Sequence, residues 1–220
     1  MIYENYGLRF LRLQREHLEL VRYWRNHPSI TQFMENNEPI TYEAQLQWFQ
    51  KVNTPANLFF IAEYENQTIG LISGKGFNEK KTVGEGGIFI WEQRLLNTLV
   101  PVKLSMALIE LSFIYCNFEY AYAHILKTNK RAIQFNKMLG YQLEPHQENN
   151  LNQLYKLTKE NYLKKRKILI RGLKDLYNVP KLIFAKEEQE EYMPYFLKHF
   201  IKSPNPPNFP KLTIIIQENA

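Results

Sequence analysis

The chain has 220 residues, 45% of them hydrophobic and 23% charged, with a formal charge of +6 and one cysteine. That length holds one sizeable core, or one domain with an appendage; the lone Cys116 excludes an internal disulfide scaffold, and no run of about 18 apolar residues marks a membrane span. The opening MIYENYG has no basic stretch leading into an apolar one, so no secretory signal is expected, and the cytoplasm is the expected compartment.

From the N-terminus, residues 7–13 have the composition of a first strand, and 16–25 place Leu18, Val21, Tyr23 and Trp24 on a helical face that Pro28 ends. Thr41 is a good N-cap for a second helix, with Glu43 in its first turn and Leu46, Trp48 and Phe49 on the way to Lys51. LFFIAEY (58–64) and TIGLISG (68–74), separated by Glu65-Asn66-Gln67, predict an antiparallel pair. Lys80 and Lys81 fall in the next turn, and GEGGIFIW (84–91) predicts another strand whose Gly84, Gly86 and Gly87 permit a bulge or a close approach of other atoms. Pro101 suits the first turn of an apolar helix carrying Leu104, Leu108 and Leu111, with Cys116 a buried thiol near its end.

AYAHIL (121–126) is β-rich, and Thr128 or Asn129 caps a helix on which Ala132, Ile133, Phe135 and Leu139 recur before Gly140 supplies a left-handed stop. A strand pair follows, beginning at Tyr141 and ending with LNQLYKL (151–157). A helix continues from Thr158; its basic run Lys164-Lys165-Arg166-Lys167 predicts a solvated face, so no nucleic-acid partner is expected. The tail ends in KLTIIIQ, a strand that must join its own sheet or a partner chain, which suggests a homodimer through the C-terminal extension.

The block NKRAIQFNKMLGY (129–141) resembles the late strand–Asn–helix–Gly–aromatic segment of the GCN5-related N-acetyltransferase (GNAT) superfamily. The resemblance extends back through GGIFIWEQ and the helix at 101–117 to VRYWRNHPSITQFMENNEPITYEAQLQWF, where WRN and Met34 look most like the ribosomal-protein N-terminal and amino-sugar N-acetyltransferases. About residues 6–158 are covered. The resemblance implies an α/β (α+β) fold: a central mixed, mostly antiparallel sheet of about seven strands flanked by helices. It divides the chain into an acetyltransferase-like domain at 1–158 and an extension at 159–220 with helical segments and a final strand. Acetyl-CoA is the implied cosubstrate, with no metal, no membrane and a small-molecule amine as acceptor.

Acetyl transfer to an amine needs a base, a polarised carbonyl and a way to discharge the thiolate. The resemblance makes Glu85 the candidate base, with Glu63, His124, Glu35 and Glu38 as alternatives. It gives the backbone of Ile88, Phe89 and Ile90 to the acetyl carbonyl and pantetheine arm, which would run between GGIFIW and AYAHIL, with Asn129 and Arg131 beside it. The implied pyrophosphate loop, residues 93–101, contains no glycine, so Arg94, Asn97, Thr98, Lys103 and the helix start must serve, Asn97 being able to turn left-handed. Asn136 stands where many relatives carry an acidic Tyr; an amide donates a hydrogen bond but releases no proton, leaving Tyr115, Tyr122 or Tyr141 as substitutes. The acceptor side falls to Trp24, Arg25, Asn26, Met34 and Trp48, a set suited to an amino-sugar nucleotide. Glu35, Asn36, Asn37 and Glu38 keep a protein N-terminus open as acceptor, and the absent glycines and Tyr keep open a catalytically silent ligand-binding protein.

Overall fold

The computed structural model describes residues 1–35, 37–75, 84–173, 179–190 and 192–217. Its first surprise is a hairpin where one strand was expected: β1 (Ile2–Asn5) and β2 (Leu8–Arg12) join through Tyr6 and Gly7, at φ 55° and 74°. Two consecutive positive φ values make the tight turn whose twist matches paired strands. Helix α1 (Leu18–Asn26) stops before Pro28 as expected, because the residue preceding a proline is driven extended, and His27 takes ψ 134°. Pro28 then begins a second short helix, α2 (Pro28–Thr31), since proline is at home in a first turn. Thr41 caps α3 (Tyr42–Val52), its hydroxyl accepting from the Ala44 amide at 3.1 Å.

Strands β3 (Leu58–Tyr64) and β4 (Gln67–Lys75) form the expected hairpin around Glu65 and Asn66. Strand β5 (Gly84–Ile90) follows; the turn expected at Lys80 and Lys81 lies outside the described residues. Of the bulge or close approach that its glycines permit, β5 shows no bulge and keeps register with β4 from Glu85 to Ile90; the register shift falls between Ala62 and Glu63 of β3, opposite the extra residue Ile69 in β4. Then come α4 (Val100–Glu110), a π-helical turn at Leu111–Tyr115, β6 (Tyr120–Leu126) and α5 (Lys130–Leu139). The α5 ends match the local rules: Asn129 Oδ1 accepts from the Ala132 amide at 3.0 Å, and Gly140 sits at φ 107°.

β7 (Gln142–Leu143), β8 (Asn152–Thr158), α6 (Lys159–Leu169), β9 (Lys181–Ala185), α7 (Tyr192–His199) and β10 (Thr213–Gln217) complete the chain. The described strands form one ten-stranded sheet ordered β10-β9-β1-β2-β3-β4-β5-β6-β8-β7. This exceeds the expected seven because β1 and two strands of the C-terminal segment extend one edge. KLTIIIQ pairs parallel with β9 of its own sheet. Only β9–β10 and β5–β6 are parallel, so the sheet is mixed and mostly antiparallel.

Alternation along the strands splits the apolar residues between two faces. On one, Phe10, Phe60, Ile72 and Ile90 pack with Leu104, Leu108 and Leu111 from α4 and its continuation, and with Tyr162, Phe184 and Phe196 from the C-terminal segment. On the other, Ile61, Leu71 and Trp91 pack with Leu18, Val21 and Phe49 from α1 and α3. α4 is buried nearly all round, which explains why its sequence is apolar on every side.

At the end of α4 the buried Glu110 carboxylate accepts from Tyr6 and Tyr162 hydroxyls at 2.9 Å and from Arg166 Nε at 2.5 Å. Arg166 also lies over the Phe209 ring at 4.4 Å. The basic run is therefore not uniformly solvated. Lys164 is exposed beside Glu160, whereas Arg166 faces inward because a buried carboxylate requires charged and hydroxyl donors.

Candidate active site

The sheet is interrupted at one place. β5 and β6 run parallel and share two register pairs, Gly84↔Ala121 and Glu85↔Tyr122, after which they separate. Beyond Glu85, the side of β5 that faces β6 has no ladder partner among the described residues, while its other side remains paired with β4 to Ile90. Unpaired peptide groups in a sheet interior require another hydrogen-bonding partner. The opening continues into a small cleft of about 40 Å³ on the α4 face, lined by glycines 74, 84 and 86, Ala121, Ser112 and Tyr141 among others. A methyl placed on Gly86 would meet the Tyr141 hydroxyl at 3.5 Å and the Tyr122 carbonyl at 3.7 Å, so the glycine keeps this point of the wedge open.

Glu85 lies at the apex of the wedge, in the last pair the two strands make. Residues paired across a ladder share a face, so Lys75, Glu85, Tyr122 and Lys156 stand on the same side of the sheet. Glu85 Oε1 is 3.3 Å from His124 Nδ1 and 4.0 Å from Lys75 Nζ, and all three side chains are between two-fifths and half exposed. Two of the candidate bases thus meet across β5 and β6. A carboxylate at Nδ1 favours the proton on that nitrogen and leaves Nε2 available as a base. Lys156 extends over the Tyr120 ring at 4.0 Å and lies 5.8 Å from the Tyr122 ring. Lys75 and Lys156 were not identified from sequence; strand register alone aligns them with Glu85. Of the other candidates, Glu63 pairs with Arg9 at 2.8 Å, and Glu35 accepts from Asn152 Nδ2 at 2.8 Å.

At the other end of the wedge, the glycine-free loop closes by ordinary turns. Leu96 N–H donates to the Gln93 carbonyl and Thr98 N–H to the Leu95 carbonyl. Asn97 does not use its tolerance of the left-handed region; its side-chain oxygen accepts from Arg131 Nη2 at 2.9 Å, and the same nitrogen donates to the Leu96 carbonyl at 2.6 Å. Arg131, in the first turn of α5, thereby places a guanidinium beside the start of α4. The Val100 amide is held by Thr98 Oγ1, and Pro101 has no N–H, so this helix start offers fewer amides than usual. Arg94 is held by Gln67 and Glu92, and Lys103 is the fourth residue of α4. Positive charge, more than a backbone cradle, is the resource at this end. Asn136 turns back to donate to the Ala132 carbonyl at 2.9 Å.

The acceptor-side residues form a packed wall. Trp24 stacks on Trp91 with centroids 5.8 Å apart and planes 4° from parallel. Arg25 lies 5.2 Å over the Trp48 ring and donates to the buried Gln45, and burial lowers its pKa. Asn26 holds the Ile40 backbone twice, at 2.8 and 2.9 Å. Met34 sits just past α2, its amide donating to the Thr31 carbonyl. The side chains of Trp24, Arg25, Asn26 and Trp48 thus each have a protein partner.

Among the described residues no cluster of His, Cys, Asp and Glu could hold a metal ion, and no helix is long and apolar enough to cross a membrane. The acetyltransferase (GNAT) domain family matches residues 5–164. In fold, the chain is similar to a domain from Methanocaldococcus jannaschii at TM-score 0.58 and 22% identity, over 69% of this chain and 97% of that one. It is likewise similar to the spermidine N-acetyltransferase of Vibrio cholerae in complex with CoA and spermine, at TM-score 0.60 and 20% identity, over 72% of this chain and 99% of that one. No curated protein matches in sequence.

Proposed function

From the premise that the chain belongs to the GNAT acetyltransferase family and is an N-acetyltransferase using acetyl-CoA, we propose that it acetylates the primary amine of an amino-sugar nucleotide. The observation that carries the reading is the wedge between β5 and β6, with Glu85 and His124 at its apex. The chain's residues fit the cosubstrate. Backbone groups of Ile88 and Ile90, which point toward β6 and lack a strand partner there, are available to the amides of a pantetheine arm, and Gly86 leaves room beside them, whereas those of Phe89 between them face β4. Arg131, Arg94 and Lys103 gather positive charge at the α4 start for the phosphates. Acetyl-CoA supplies the activated acyl group. Glu85 and His124 take the proton that an ammonium acceptor must lose, and β5 amides orient the carbonyl.

For the acceptor, the exposed face beside this pair carries Lys75 and Lys156, the latter over two tyrosine rings. Cations with adjacent rings suit an anionic, ring-bearing acceptor better than a polycation. On assembly, the outer edge of β10, with Ile214 and Ile216 exposed, supports pairing with a second copy; a single-chain mass by light scattering removes that part.

Titration calorimetry with acetyl-CoA tests the donor side; no heat at millimolar ligand defeats it. Thiol release is then followed with amino-sugar nucleotides, polyamines and peptides as acceptors. Glu85→Gln should lower kcat by about 10²-fold with the preferred acceptor. Faster turnover of spermidine than of every sugar nucleotide would remove the acceptor assignment and leave the transferase.

A further inference from the structure

Asn136 cannot discharge a thiolate, yet the cleft behind the wedge contains a group that can meet one. Tyr141 lines it, only 6% exposed, and its hydroxyl takes no hydrogen bond from the described residues. The other cleft hydroxyls are differently placed: Ser112 Oγ donates to the Leu108 carbonyl at 2.9 Å, and the Tyr120 ring lies under Lys156 on the opposite face. Tyr141 Oη is aimed at Gly86, the first residue of β5 beyond its last pair with β6. Glu85, one residue earlier, faces the other side of the sheet, so base and phenol flank the apex of the wedge from opposite faces.

We propose that Tyr141 is the catalytic hydrogen-bond donor to the departing sulfur, a contact that Asn136, whose amide is spent on the Ala132 carbonyl, does not make; this rests on the acetyltransferase reading above. The amine nitrogen bonds to the acetyl carbon, the carbon–sulfur bond breaks, and the sulfur keeps the bonding pair. Tyr141 retains its proton and hydrogen-bonds that charge; the ammonium acceptor gives up two protons in all, one to Glu85 and His124 before attack and one from the nitrogen as the amide forms, and of these one returns through solvent to complete the thiol while the other is released. Burial raises the phenol's pKa, which keeps it a neutral donor at every pH where the enzyme works.

The test compares binding of CoA and desulfo-CoA by calorimetry at pH 9, above the usual thiol pKa of about 8.5. The wild type should prefer CoA about tenfold or more, as one hydrogen bond to a charged group provides. Tyr141→Phe should erase that preference, bind desulfo-CoA as before and lower kcat at least tenfold with the acceptor KM unchanged. Gly86→Ala, whose methyl would stand against the hydroxyl, should weaken CoA more than desulfo-CoA. A Tyr141→Phe protein that keeps the wild-type preference overturns the proposal, as does a wild type that binds both ligands equally. Binding of neither overturns the acetyltransferase reading as well.

Discussion

The two edges of β5 are made from the same seven residues and behave differently. Toward β4 the strand pairs from Glu85 to Ile90, and the fit is tight enough that a methyl on Gly70 would stand 2.6 Å from the Phe89 carbonyl oxygen. Toward β6 it pairs twice and stops, and a methyl on Gly86 would meet only ordinary contacts. Glycine serves opposite ends on the two sides: at Gly70 it lets two strands close, and at Gly86 it holds a space open. A sheet that pairs one edge of a strand fully can leave the other to a ligand without losing its frame.

The sharpest way to break the contrast is at the closed edge. Gly70→Ala should cost about 1–3 kcal/mol, because the obstructing atoms are backbone and cannot rotate away; urea unfolding measures it, and an unchanged midpoint would mean the edges are alike. At the open edge the nucleotide end should respond next. Arg131→Ala frees the Leu96 and Asn97 oxygens and removes a cation, so acetyl-CoA affinity should fall about tenfold in calorimetry with little change in melting temperature. Gly86→Ala should leave stability within about 1 kcal/mol of wild type, in contrast to Gly70→Ala, while acetyl-CoA uptake drops. The smallest effect marks where the opening ends. Cys116 lies close in sequence to the cleft-lining Ser112 and Phe118 but is 1% exposed, and burial raises its pKa. A raised pKa keeps the thiol protonated, so a thiol reagent at pH 8 should leave the folded protein unlabelled until urea is added.

Most of the architecture was legible because its signals are local. Thr41, Asn129, Thr158 and Gly140 announce helix ends through their own side chains or the lack of one, and each is found doing so. β1 was missed because four residues before a Tyr-Gly turn are too few to display alternation. The candidate site was legible only in part. Glu85 and His124 could each be named as bases, but their meeting depends on how two strands align whose paired residues, such as Glu85 and Tyr122, lie 37 positions apart, which no local pattern encodes. The same holds for Lys75 and Lys156. Trp24, Arg25 and Asn26 were named for their versatile chemistry; which protein groups engage them, Trp91, Trp48 and the Ile40 backbone, is set by tertiary contacts that no local pattern encodes.

Glu110 bears on the order in which the chain can be completed. Its carboxylate sits at the middle of the sequence, one of its donors is Tyr6 near the start, and the other two, Tyr162 and Arg166, lie well toward the end. On a ribosome, which releases the N-terminal part first, α4 emerges with a charge destined for burial and only one of its three partners made. The wedge rests on that helix. Its final shape therefore waits for residue 166, and the last part of the family segment to fold into place is set by residues just beyond its border at 164.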